Sequence, residues 1–202
     1  TAGVLASALA PSMIRAATGD AEKIGFAVIG LGGYAQQSIA PEVHHCEHAR
    51  LAGVVTGDPE KGAAWAAEHG FPADAVYGYD DFDRLANDDR IQFVHVTLPN
   101  NMHAEYAIRA IQAGKHVIVE KPMATSSADC ERVIATAEEA GLLLGVNYRL
   151  HWEPHHLAAI EATTGGKIGD LACGNYEFSW GYVRALQNNP NVKKWLLDSE
   201  VA

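Results

Sequence analysis

Ala27-Val28-Ile29-Gly30-Leu31-Gly32-Gly33-Tyr34-Ala35 decides the fold. The apolar run fits a buried strand, and the glycines turn it into the start of a helix. Gly30 suits the tight turn, Gly32 lets the backbone approach a pyrophosphate, and Ala35 is small enough for helix–strand packing. The helix start then offers N–H groups and positive dipole density to phosphates. Leu31, Gly33 and Tyr34 complete this candidate cofactor-binding loop. The pattern is weak alone. It gains weight from Glu120-Lys121-Pro122, which follows four strand-like segments later.

Working outward, strands are expected at 24–30, 51–56, 75–77, 93–98, 116–120 and 142–146. The run at 93–98 is almost continuously apolar, as in a parallel sheet covered on both faces. Helices are expected from Gly32 to about Cys46, from Asp58-Pro59 to near Gly70, after Tyr79-Asp80-Asp81-Phe82, and at 103–113 and 126–140. Pro59 sits at a favoured first-turn position, Ser126-Ser127 offers cap chemistry, and Gly114 and Gly141 punctuate helix ends. Six strands alternating with helices predict an α/β fold, a doubly wound parallel Rossmann sheet over residues 23–148. Ligands of such sheets bind beyond the carboxyl ends of the strands. Gly30, Thr56, Leu98-Pro99-Asn100, Glu120-Lys121 and Asn147-Tyr148-Arg149 fall there.

After residue 148 the pattern changes. A helix is expected at 151–164, then a long strand at 171–182 with alternating Tyr176, Phe178, Trp180 and Tyr182. That aromatic face reads as simple packing or as the lining of a sugar site. The 202 residues are 48% hydrophobic, with a formal net charge of −10. Such an acidic chain is a poor partner for nucleic acid or an anionic membrane, so an anionic ligand must be held locally. Cys46, Cys130 and Cys173 lack the spacing of a zinc site or a disulfide framework. The histidines at 44, 45 and 48 and at 151, 155 and 156 come without a well-spaced third ligand, so no metal is expected. Residues 1–22 read as a signal-like segment or an N-terminal arm. Gly3 to Ala10 is apolar and small, too short to span a bilayer, and is expected to direct export to the periplasm. A cytoplasmic location is the alternative.

The blocks Gly30 to Ala35, Leu98-Pro99-Asn100-Asn101-Met102-His103-Ala104-Glu105, Ala113 to Val117, Glu120-Lys121-Pro122-Met123-Ala124-Thr125-Ser126 and Tyr148-Arg149-Leu150-His151 carry a resemblance. The chain resembles the glucose–fructose oxidoreductase, inositol dehydrogenase and rhizopine-catabolism oxidoreductase family, its glucose–fructose branch most of all. The resemblance implies a nicotinamide-dependent oxidoreductase acting on a sugar or polyol. It implies a second, α+β domain with an open, mostly antiparallel sheet, begun at 149–202 and truncated. The Asp and the His or Tyr of the family's acid/base machinery are expected beyond Ala202. Copies are expected to pair through their open sheets when full length.

Residue by residue, the resemblance gives Lys121 the catalytic place, hydrogen-bonded to the substrate hydroxyl, with Glu120 beside it. Leu98, Pro99 and Asn100 are expected at the nicotinamide half of the cleft and Tyr79 near the adenine. His103 either approaches the cofactor or serves the helix start. Arg149 and His151 touch cofactor or substrate, or pack between domains. Leu196 stands where related sugar enzymes have an arginine after the tryptophan matched by Trp195, which leaves the exact sugar open. For the cofactor, Thr56 and Gly57 end the second strand without a carboxylate at the first polar position, and Lys61 lies nearby. NADP(H) is therefore favoured and NAD(H) possible, with Asp58 as the contrary feature. The leading expectation is an NADP(H)-dependent aldose oxidoreductase, its retained cofactor recycled by a second sugar. The alternatives are a cytoplasmic NAD-dependent inositol or polyol dehydrogenase and a nucleotide-binding sensor without turnover.

Overall fold

The computed structural model describes residues 23–175 and 177. Six strands form one sheet, each pair parallel: β1 Ile24–Ile29, β2 Ala49–Val55, β3 Val76–Tyr77, β4 Phe93–Val96, β5 His116–Glu120 and β6 Leu144–Asn147. Their order is β3-β2-β1-β4-β5-β6, a doubly wound sheet whose order reverses between β1 and β4. Four α-helices accompany it: α1 Pro59–His69, α2 His103–Gln112, α3 Ser127–Ala140 and α4 Pro154–Thr164.

Burial grades across the sheet. Ala27, Val28, Ile29, Val54 and Val55 are fully covered, because both faces of β1 and β2 are packed. On β4 and β5 burial alternates. Val94, Val96, Val117 and Val119 face the core, while Phe93, His95, His116, Ile118 and Glu120 are half-buried on the other face. No residue of α4 is buried.

Local chemistry sets most element ends. Asp58 caps α1 by accepting from the Lys61 N–H at 3.0 Å, and Gly70, with φ +76°, ends it in the left-handed region. Ser126 caps α3 in the same way through the Asp129 N–H.

Three expected helices differ. The segment after Gly32 is helical at Gly33 and Tyr34, then widens to a π-helix over Ala35–Ile39 and tightens to a 3₁₀-helix over Ala40–His45. Pro41 is the physical reason. It has no N–H for the carbonyl four residues back, and its ring crowds that carbonyl in an α-helix. The segment after Tyr79 is a 3₁₀-helix, Phe82–Asn87, rather than an α-helix. The expected helix at 151–164 splits into a 3₁₀ turn, Arg149–Trp152, and α4, because Pro154 belongs at a helix's first turn and not inside it. Of the expected strand at 171–182, residues 171–175 and 177 have no strand structure. Tyr176, residues 178–182, Trp195, Leu196 and the signal-like residues 1–22 lie outside the described residues.

Candidate functional site

The carboxyl edge of the sheet gathers most of the expected site residues. β1 ends in Gly30 at φ +92°, a conformation that favours glycine. A Cβ there would lie 2.7 Å from Leu98 Cδ2 and 3.3 Å from the Thr97 carbonyl oxygen, so a side chain would wedge the β1 turn away from the β4 turn. Thr97 holds that join. Its N–H donates to the Ile29 carbonyl at 2.9 Å, and its hydroxyl donates to the Gly30 carbonyl at 2.6 Å. Leu31 and Ala35 are buried beneath the loop, Gly32 and Gly33 lead into the helical turn, and Tyr34 stands partly exposed above it.

The second cradle is at the end of β2. Thr56 is buried, and its hydroxyl accepts from the Asp58 N–H at 3.1 Å. A Cβ on Gly57 would sit 3.3 Å from the Tyr79 ring, so the tyrosine lies across the glycine. Tyr79 packs edge-on to Tyr106 at 5.4 Å, and burial raises its hydroxyl pKa. Asp58 is turned to its own helix, with a carboxylate oxygen on the Lys61 N–H and another 4.0 Å from the Lys61 ammonium. The carboxylate that argued against a 2′-phosphate is thus engaged as a cap beside a partly exposed lysine.

At β5 and β6 the edge is polar. Glu120 accepts from His95 Nε2 at 3.0 Å and from Asn147 Nδ2 at 2.5 Å. The second Asn147 N–H reaches the Tyr34 hydroxyl at 3.1 Å, and that hydroxyl bonds Glu120 in turn. Burial alone would raise the Glu120 pKa, but the donors from His95, Asn147 and Tyr34 outweigh it and hold the carboxyl below its ordinary value. Tyr34 shifts upward, first through burial and then through the Glu120 charge. Lys121 follows Glu120 as an exposed residue, and the Lys121–Pro122 bond is cis. Among the described residues its ammonium has no hydrogen-bond or ion-pair partner.

His103 departs from one of its two expectations. It is 1% exposed. Its Nδ1 lies 2.6 Å from the Pro122 carbonyl oxygen and its Nε2 lies 2.8 Å from the Leu98 carbonyl oxygen. Both ring nitrogens are committed to backbone, so the ring ties two turns together and does not face the cleft. Pro99 and Asn100 stay at the edge, entering a 3₁₀ turn before α2. Arg149 is exposed and near enough for its charge to act on the Tyr34 hydroxyl. His151 stacks edge-on against Trp152 at 4.9 Å, not against a residue of the sheet edge.

His95 and Thr97 were missed in the sequence because both sit inside an apolar strand run. Their one visible signal is polarity at alternate positions approaching the carboxyl end of β4. Among the described residues no group of three or more His, Cys, Asp or Glu could hold a metal.

The glycine cradles, the reversal of strand order and the ring over Gly57 fit a dinucleotide laid across the edge. Comparison with known proteins agrees. A match to the Gfo/Idh/MocA oxidoreductase family, NAD-binding Rossmann fold, covers residues 24–148. A dTDP-3,4-didehydro-2,6-dideoxy-α-D-glucose 3-reductase from Saccharopolyspora spinosa is 33% identical over 144 residues, 71% of this chain and 42% of the relative. A D-xylose 1-dehydrogenase (NADP⁺) from Haloferax volcanii is 30% identical over 155 residues, 76% of this chain and 46% of the relative. The crystal structure of an aldose–aldose oxidoreductase from Caulobacter crescentus, complexed with glycerol, superposes with a TM-score of 0.69 at 42% identity, covering 71% of this chain and 43% of that one. The chain thus spans less than half the length of each of these relatives. With its fold, its strand-end loops and a match over well over half its length, the chain belongs to the Gfo/Idh/MocA oxidoreductase family.

Proposed function

We propose that the chain forms the dinucleotide-binding part of an NADP(H)-dependent sugar oxidoreductase, with residues 149 onward opening its substrate domain. The observation that carries this reading is the exposed Lys121 at the carboxyl end of β5, two strands along the same sheet edge from the Gly30 cradle. When bound, the nicotinamide accepts or donates the hydride. The chain's own residues bind and orient. Gly30 to Ala35 receive the pyrophosphate, Thr56 and Lys61 hold the 2′-phosphate, and Tyr79 flanks the adenine. Leu98, Pro99 and Asn100 line the nicotinamide half. Lys121 hydrogen-bonds the sugar hydroxyl that loses its proton, and Arg149 and His151 approach the substrate from the domain junction. The printed names of the Haloferax and Caulobacter relatives support a sugar substrate.

Turnover of D-glucose or D-xylose with NADP⁺ tests the proposal. Lys121→Met is expected to lower kcat at least about 100-fold while leaving the NADPH dissociation constant within about threefold. Retained turnover sinks the role of Lys121. Tighter binding of NADH than NADPH overturns the cofactor assignment. Binding without turnover of any sugar or polyol favours a sensor.

The 42% identity to an aldose–aldose oxidoreductase supports extending the proposal to a retained cofactor recycled by a second sugar. Reduced-nicotinamide absorbance that persists through purification and vanishes on adding a second sugar is the expected sign. Export to the periplasm and pairing of copies are parts of the same proposal, read out by cell fractionation and light scattering. No helix among the described residues is long and apolar enough to cross a membrane.

A further inference from the structure

Lys121 lies between two residues that are held from outside β5. On its N-terminal side the Glu120 carboxylate takes donors from three separate elements: His95 on β4 at 3.0 Å, Asn147 on β6 at 2.5 Å, and Tyr34 of the loop after β1. On its C-terminal side the Pro122 carbonyl lies 2.6 Å from His103 Nδ1, and the far side of that ring is fixed 2.8 Å from the Leu98 carbonyl. Strand alternation sends the Glu120 side chain toward His95 and Asn147 on the half-buried face of the sheet. No ion pair joins Glu120 to Lys121 among the described residues, although they are neighbours in sequence.

We infer that His95 and His103 are positioning residues for Lys121, fixing the backbone on either side of it while leaving its ammonium unpaired. This rests on the reading of Lys121 as the substrate-facing residue. A lysine has a flexible four-carbon stem, so its reach is set by where its backbone is anchored and by what competes for its charge. His95 acts on both. It holds Glu120 in the sheet, and with Asn147 and Tyr34 it keeps that carboxylate engaged on the half-buried face, away from the adjacent ammonium. His103 sets the spacing between the Leu98-Pro99-Asn100 turn and the Lys121-Pro122 turn, which is the spacing between nicotinamide and substrate in the proposed cleft. Displacing a reacting group by about 1 Å costs on the order of 100-fold in rate, so modest slack at either anchor suffices.

The test uses the intact protein with His95→Leu, His95→Gln and His103→Gln. Glutamine at 95 supplies an N–H at similar reach, whereas glutamine at 103 lacks the rigid ring that fills the gap between the Leu98 and Pro122 carbonyls. His95→Leu and His103→Gln are expected to lower kcat with D-glucose or D-xylose and NADP⁺ by about 10–100-fold, with the NADPH dissociation constant changed less than about threefold. His95→Gln is expected to recover most of the loss. Hydrogen exchange, read by mass spectrometry, supplies a measure independent of turnover. The peptide spanning 119–124 should exchange at least about tenfold faster in His95→Leu and in His103→Gln, with α1 and α3 unchanged. Unaltered exchange over 119–124 overturns the inference, as does equal loss of kcat and NADPH affinity. Should the parent protein turn over no sugar, the proposed activity falls, while the exchange result still decides whether His95 and His103 anchor this segment.

Discussion

Gly30 carries two constraints at one atom. Its φ of +92° disfavours any side chain, and the space a Cβ would need is filled by Leu98 at 2.7 Å. Gly30→Ala is therefore expected to cost about 1–3 kcal/mol in urea denaturation. It should also weaken NADPH binding more than about tenfold in a fluorescence titration, because the loop no longer closes onto the β4 turn. Unchanged affinity would show that the glycine serves the backbone alone. This glycine was legible in the sequence, because it ends an apolar run, opens a glycine turn into a helix and is followed downstream by Glu120-Lys121-Pro122. His103 was legible as special but not in its role. Its place at a helix start left a cofactor contact and a structural role both open, and the ring lies between the carbonyls of Leu98 and Pro122. Asp58 is a parallel case. Read as a charge near the ribose it argued against NADP, yet in the structure it caps α1.

Helices with capping residues at both ends formed where expected. α1 begins at Asp58-Pro59 and stops at Gly70, and α3 runs from Ser126 to Gly141. Asp58→Ala is expected to lower stability by about 1 kcal/mol, read as a shift of the denaturation midpoint without a change of slope. A shift no larger than that of a surface substitution would mean that Lys61 and Glu60 hold the helix start without the cap. Packing adds a second requirement on α1. A Cβ at Gly62 would meet Val76 Cγ1 at 2.4 Å, so this glycine sets how closely the helix lies on β3. The segment 35–45 went the other way. Its residues suit a helix, but Pro41 divides it into a wide and a tight turn.

A charged network holds the molecule together away from the candidate site. Asp88 accepts from Tyr77 of β3 and three times from Arg90, through its backbone N–H, Nε and Nη2. Arg90 also reaches Asp74 at 2.9 Å, and the buried Lys115 ammonium donates to the Asp88 carbonyl at 2.8 Å. The Arg90 guanidinium holds the Asp88 carboxyl well below the usual carboxylate range against the opposing effect of burial, and Glu120 is also lowered. A carboxyl lowered in the folded state stabilises above its ordinary pKa, and that stability is lost as pH falls through the lowered value. Burial pushes Tyr77 up to about 12, and its contribution is present below 10.0 and lost as pH rises through about 12. Melting temperature is therefore expected to hold near neutrality and to fall below about pH 4. Asp88→Asn should melt lower than the parent at pH 7 and lose less on moving to pH 3. An equal acid-induced drop in both proteins would remove Asp88 from the explanation. Strand count, the parallel sheet, helix caps and the glycine loop could be read from the chain because each depends on neighbours within a few residues: apolar runs, turn formers and capping side chains. What Glu120, His95, Thr97, Asn147 and His103 do could not. Each has a partner far away in sequence, 25 residues for His95 with Glu120, 67 for Thr97 with Gly30 and 19 for His103 with Pro122. No local pattern encodes such pairings. They exist because the parallel register lays the carboxyl ends of β1, β4, β5 and β6 side by side.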